Sequence, residues 1–137
     1  MMRLPLFEFR APRTLEEAAR ILDGERANAM PLAGGTDLLP NMKRRQQVPR
    51  MLMSLRHVES LNGLELSQSG SRLGACLSLS DIAADPRFRK GLTALAQAAS
   101  LVATPQIRNM ATLGGNVCLD TRCNYYDQSY ELSLIHI

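Results

Sequence analysis

Two pairs of adjacent glycines have residue types and spacing suited to binding chemistry. They lie in Ala33-Gly34-Gly35-Thr36-Asp37-Leu38 and in Thr112-Leu113-Gly114-Gly115-Asn116, eighty residues apart. Without a Cβ, glycine takes positive φ readily and lets the backbone come close to a ligand. Successive N–H groups in such a turn form a nest for an anion, and a helix N-terminus behind it adds partial positive charge. Each pair has a small residue or Thr before it and a short polar side chain after it. Two phosphates held by two such loops would be a pyrophosphate. Taken singly, either pair is more often an ordinary tight turn, and it is the two together that point to a ligand. No Gly-x-Gly-x-x-Gly and no Gly-Lys-Ser/Thr supplies a stronger phosphate signature.

Other reactive side chains are sparse. Cys76, Cys118 and Cys123 form no Cys-x-x-Cys, and an odd count suits a reducing compartment better than a disulfide scaffold. Cys76 sits in an alternating apolar segment and is expected in the core, and Cys118 is expected as a small buried hydrophobe. Asp37 beside a phosphate is electrostatically awkward unless its side chain caps the helix opening at Leu38. The formal charge of +3 is too small to argue for nucleic acid, and no aromatic interleaves with Lys43-Arg44-Arg45. That run is expected as a solvated helix face, with a subunit contact or a phosphate neighbour as the alternatives. No 18-residue apolar run or signal-peptide core occurs, so a membrane span is not expected and the cytoplasm is the expected compartment.

The elements that must position these loops follow from periodicity. Phe7 and Phe9 alternate with polar neighbours as a short half-buried strand. Thr14-Leu15-Glu16-Glu17 forms a capping box, and apolar residues at Leu15, Ala18, Ala19 and Leu22 predict a helix ended by Gly24. Ala29–Leu32 then makes the opening β-α-β, with the first glycine pair at the carboxyl end of its second strand, where ligands of open α/β units bind. A helix over 38–46 and a strand over 51–55 complete one unit. A hairpin follows, with Leu64 and Leu66 on one strand, a turn over 68–71 and a return over 73–77. Ser80-Asp81 caps a brief helix stopped at Asp85-Pro86, and an alanine-rich helix runs from Leu92 to Val102. The fold class is α+β: a small N-terminal unit over 1–57 and a second mixed unit over 58–131. Residues 132–137 are expected to be foreign to the fold, leaving it incomplete at the C-terminus.

With Ala33-Gly34-Gly35-Thr36-Asp37-Leu38-Leu39-Pro40 and Thr104-Pro105-Gln106-Ile107-Arg108-Asn109-Met110-Ala111-Thr112-Leu113-Gly114-Gly115-Asn116 together, the chain resembles a known family. It is similar to the FAD-binding (medium) subunits of the molybdenum hydroxylases, the xanthine dehydrogenase and carbon monoxide dehydrogenase family, with their PCMH-type fold. The segment Asn116–Gln128 resembles most the 4-hydroxybenzoyl-CoA reductase branch, which acts on aromatic compounds. The resemblance implies an FAD-dependent, electron-transferring oxidoreductase subunit with no catalytic residue of its own. FAD would be held by Ala33, Gly34, Gly35, Thr36, Asp37 and Leu38 and by Thr112, Gly114, Gly115 and Asn116, with Ala103 near the flavin. It implies a molybdopterin-binding large subunit and a [2Fe-2S] small subunit as partners. In the reductase branch it also implies a [4Fe-4S] cluster whose first ligand is Cys123. The competing expectation is a docking or scaffold domain whose glycine loops, basic run and late tyrosines contact a partner.

Overall fold

The computed structural model describes residues 3–67 and 69–119. Strand β1 spans Glu8–Arg10, helix α1 Leu15–Glu25, β2 Ala29–Leu32, α2 Leu38–Lys43 and β3 Met51–Ser54. The strands form one sheet in the order β1-β3-β2, parallel throughout, with Leu52 opposite both Phe9 and Met30. Flanked on both edges, β3 buries all four of its residues, as strands of parallel sheets do. Pro31, which has no N–H to donate, sits in the edge strand β2, where a missing ladder bond is tolerated. Leu38, Met42 and Leu52 make the core of this unit, closed by Leu4, Phe7, Met30, Leu32 and Leu39.

Several local expectations shift by a residue or more. Phe9 is 57% exposed, so the alternation of the first strand buries only the Phe7 side. Thr14 Oγ1 accepts from Glu17 N at 3.1 Å, but the Glu17 carboxylate accepts from Arg13 N at 3.0 Å instead of from Thr14. Gly24 lies inside α1, and Arg26, at φ 46°, ends the helix by donating its N–H to Leu22 O. Helix α2 stops at Lys43, short of the expected Gln46, and Arg45 takes a left-handed φ of 62° just beyond it.

The second unit begins with the antiparallel hairpin of β4 (Leu64–Ser67) and β5 (Gly70–Leu73). Ser67 pairs with Gly70, so the return strand starts three residues before the expected Leu73. Helices α3 (Leu79–Ala84), α4 (Pro86–Gly91), α5 (Thr93–Leu101), α6 (Pro105–Met110) and α7 (Leu113–Val117) follow. Asp85-Pro86 starts a helix as well as stopping one: Asp85 accepts from Arg87 N at 2.8 Å and Pro86 opens α4, where its missing N–H is harmless. The Arg87 guanidinium hydrogen-bonds the Asp85 carboxyl and holds it below the ordinary carboxylate range. Leu79, Ile82, Phe88, Ala96, Ala99 and Ala111 form the second core, in which alanines let α3 and α5 approach closely. Among the described residues, no helix is long and apolar enough to cross a membrane.

Candidate functional site

A cleft of about 450 Å³ lies where the two units meet. Ala33 and Gly34 line it from the first glycine loop, and Arg56 and Asn62 from the segment after β3. Cys76, Ser78, Ser80, Asp81, Asn109, Met110 and Thr112 complete the lining from the second unit. Among the described residues, the wall is thus built of backbone, hydroxyls, amides, the Cys76 thiol and the Met110 thioether around one cation and one carboxylate, suited to a polar ligand.

The first loop owes its shape to its glycines. Gly35 sits at φ 74°, a conformation that a side chain would strain. Gly34 lies flat against the next unit, so that a Cβ there would overlap the Met110 carbonyl oxygen and sit 3.2 Å from Ala111 Cα. Among the described residues, no protein acceptor takes the N–H groups of Gly34, Gly35 or Thr36. This loop therefore offers adjacent open donors, as a nest requires. Asp37 precedes α2 but makes no side-chain cap; its carboxylate accepts instead from Asn41 Nδ2 at 3.0 Å. Leu38 turns its side chain into the first core, which removes all but its backbone from consideration.

The second glycine pair is arranged differently from the expected loop. Gly114 and Gly115 lie within helix α7, not in a turn. Leu113 N donates to Leu77 O at 2.9 Å, Gly114 N to Ala75 O at 2.8 Å and Asn116 N to Thr112 O at 2.9 Å. Gly115 N donates to Thr112 Oγ1 at 3.1 Å. These N–H groups are already engaged, so no second nest exists here. Glycine at 114 is needed for packing, since a Cβ would stand 2.7 Å from that of Ala75. What this segment gives the cleft is Thr112: its oxygen accepts the Gly115 N–H, leaving its own proton to donate.

The remaining expected residues are dispersed. Asn116 and Gly115 are exposed on α7 and do not line the cleft. Ala103 is exposed at φ 44°, held by Arg108, whose Nη1 donates to Val102 O at 2.8 Å and Ala103 O at 3.0 Å. Lys43, Arg44 and Arg45 are solvent-exposed at the far end of α2, and none lines the cleft. Cys118 is exposed, contrary to the burial expected of it. Cys76 is half-buried in the cleft wall; burial pushes its thiol up, against a smaller opposing pull from Arg56. It stays neutral at physiological pH. Cys123 and the tyrosines Tyr125, Tyr126 and Tyr130 lie outside the described residues. The pairing of Ser80 Oγ with Asn109 Oδ1 at 2.6 Å, and the presence of Arg56 and Asp81 in the wall, had no counterpart among the sequence expectations. Ser78-Leu79-Ser80-Asp81 carried a signal for part of it, since Ser78 accepts from Asp81 N at 3.0 Å as a helix cap.

Comparison with known proteins agrees with this architecture. Residues 5–126 match the family described as the FAD binding domain in molybdopterin dehydrogenase. The carbon monoxide dehydrogenase medium chain of Hydrogenophaga pseudoflava is 37% identical over 113 residues, 82% of this chain and 39% of that one. The nicotinate dehydrogenase FAD-subunit of Eubacterium barkeri is 36% identical over 113 residues, 81% of this chain and 38% of that one. The solved carbon monoxide dehydrogenase from Hydrogenophaga pseudoflava superposes with a TM-score of 0.82, over 85% of this chain and 40% of the matched chain. The chain spans about two fifths of the length of the curated relatives it matches. With the PCMH-type α+β fold and the family match in agreement, the chain belongs to the FAD-binding domains of the molybdopterin dehydrogenases.

Proposed function

We propose that this chain is the FAD-binding, electron-transferring part of a molybdenum-containing oxidoreductase. The observation that carries the reading is the first glycine loop: Gly34 lines the polar cleft, and among the described residues the N–H groups of Gly34, Gly35 and Thr36 meet no protein acceptor. Bound FAD would supply the electron transfer, and this chain's residues would bind and orient it. The loop donors would take phosphate oxygens, and the Thr112 hydroxyl proton would reach the same anion from the opposite wall. Gly114, Gly115 and Asn116 fit a different role, with their engaged N–H groups fixing Thr112 in place. Ala103 would approach the flavin, as the family resemblance implies. A docking-only role is not favoured, because the basic run that would serve it stands apart from the cleft and the family is one of FAD binding.

The test compares FAD content in the purified assembled protein and its Gly35→Val variant. The added side chain would strain φ 74° and press on Leu32 and Leu39. It is expected to lower FAD affinity about tenfold or more, by displacing donors from their common focus. Wild-type FAD content in a folded variant would reduce this loop to an ordinary turn.

The finer reading is a 4-hydroxybenzoyl-CoA reductase-like complex, removing a phenolic hydroxyl from an aromatic thioester on a partner subunit. Its support is the resemblance of Asn116–Gln128. The partners would be a molybdopterin-binding large subunit and a [2Fe-2S] small subunit, assembled in the cytoplasm. Cys123 would be the first ligand of a [4Fe-4S] cluster; it lies seven residues after Asn116, a link of at most about 25 Å. Among the described residues, no group of three or more His, Cys, Asp or Glu could hold a metal. The Cys123→Ser variant of the assembled complex is expected to lose iron and keep FAD. Full iron content would remove the ligand role, and with it the preference for the reductase branch.

A further inference from the structure

We propose that Arg56 supplies the counter-charge of an anion site in the cleft, acting as the cationic binding residue for the diphosphate of the bound dinucleotide. The inference deepens the FAD reading and rests on it for the identity of the ligand. No sequence feature marked Arg56; its position does.

Open N–H groups give an anion direction but only partial charge. A diphosphate brought out of water carries two negative charges and needs a cation or strong hydrogen bonding in return. The surroundings of the first loop otherwise carry the wrong sign, with Asp37 after it and Asp81 in the opposite wall. The Asp81 carboxylate is already engaged, accepting from Ser78 Oγ at 2.6 Å. Lys43, Arg44 and Arg45 do not line the cleft. Among the described residues, Arg56 is the cation that does. Its backbone is fixed, with its N–H donating to Ser54 Oγ at 3.4 Å and its carbonyl accepting from Asn62 Nδ2 at 3.4 Å.

The guanidinium shares the cleft with Gly34 and, among the described residues, makes one weak side-chain contact. Its Nη2 approaches Met110 Sδ at 3.9 Å, a weak contact, and the Met110 carbonyl is the group that Gly34 packs against. Among the described residues, no carboxylate pairs with it. Arg56 and Gly34 line the same cleft, and a planar fork of donors there would complement the loop N–H groups on the several oxygens of a diphosphate. The neighbouring Cys76 thiol is held neutral by burial and adds no repelling charge.

The test measures binding of three probes to the assembled, flavin-depleted protein at low and high salt: FAD, inorganic pyrophosphate and uncharged riboflavin. Arg56 is exposed, so Arg56→Gln is expected to melt like the wild type. The variant is expected to weaken FAD and pyrophosphate about tenfold, as loss of a charged hydrogen bond implies. Riboflavin binding should not change, the salt dependence should flatten, and Arg56→Lys should recover part of the loss. FAD and pyrophosphate binding at wild-type strength in Arg56→Gln would overturn the proposal and leave the FAD reading standing. Equal weakening of riboflavin would also overturn it, by showing a loss of shape instead of charge. Arg56-dependent pyrophosphate binding without any FAD binding would support the anion site and sink the FAD reading.

Discussion

Gly34→Val is expected to destabilise the protein by roughly 3 kcal/mol or more and to abolish FAD binding, because the new side chain lands on backbone that cannot move aside. The collision is with the Met110 carbonyl and Ala111 Cα, not with the end of a flexible side chain. Relief requires the first loop to move away from α6 and the start of α7, which opens the cleft. Gly24 gives the contrast. A Cβ there meets nothing within 4 Å, and the position is helical, so Gly24→Ala should stabilise by up to about 1 kcal/mol. Thermal or denaturant unfolding of both variants checks the pair. A Gly34→Val protein as stable as the wild type would mean that the two units do not meet at this glycine.

The second large effect is expected far from any ligand. Phe88 is 1% exposed in the core of the second unit, and Phe88→Ala should cost about 3–5 kcal/mol of stability through lost burial and the cavity left behind. Ala111 belongs to the same cluster. Its carbonyl accepts from Leu79 N at 3.0 Å, and the next residue is Thr112, which lines the cleft. The variant should therefore also weaken FAD binding, through slack at Ala111 and Thr112. Denaturant unfolding together with FAD titration tests this. Full stability would show that the cluster is not the core of this unit.

The first glycine loop was legible because its cause is local. Positive φ at Gly35 and an apolar strand ending at Leu32 are written within a few residues of the sequence. The second pair differs from the expected turn because the cause of its conformation is distant. Gly114 and Gly115 disfavour helix by propensity, yet Ala75 O and Leu77 O pin the segment, and the Thr112 hydroxyl caps it. Tertiary hydrogen bonds override propensity there. The same asymmetry governs the strands. Short apolar stretches mark β2 and β3, but no local pattern says that β3 lies between β1 and β2.

Charge was the least legible part of the site. The basic run Lys43–Arg45 stands out in the sequence and lies away from the cleft, whereas single Arg56 is inconspicuous and lines it. A cleft between two units collects residues from four separate segments, near 33, 56, 78 and 110, and periodicity within one segment carries no information about the others. Helix α4 was missed for a smaller reason: Asp85-Pro86 has the same sequence signature for ending a helix and for beginning one.

FAD binding by the loop at Gly34, Gly35 and Thr36 is the central expectation. The most direct measurement is a titration of the flavin-depleted assembled protein with FAD, followed by flavin fluorescence and by equilibrium dialysis. Saturation at one FAD per copy of this chain, reduced in Gly35→Val, is the result expected. A wild-type protein that stays free of flavin through the titration would contradict the account.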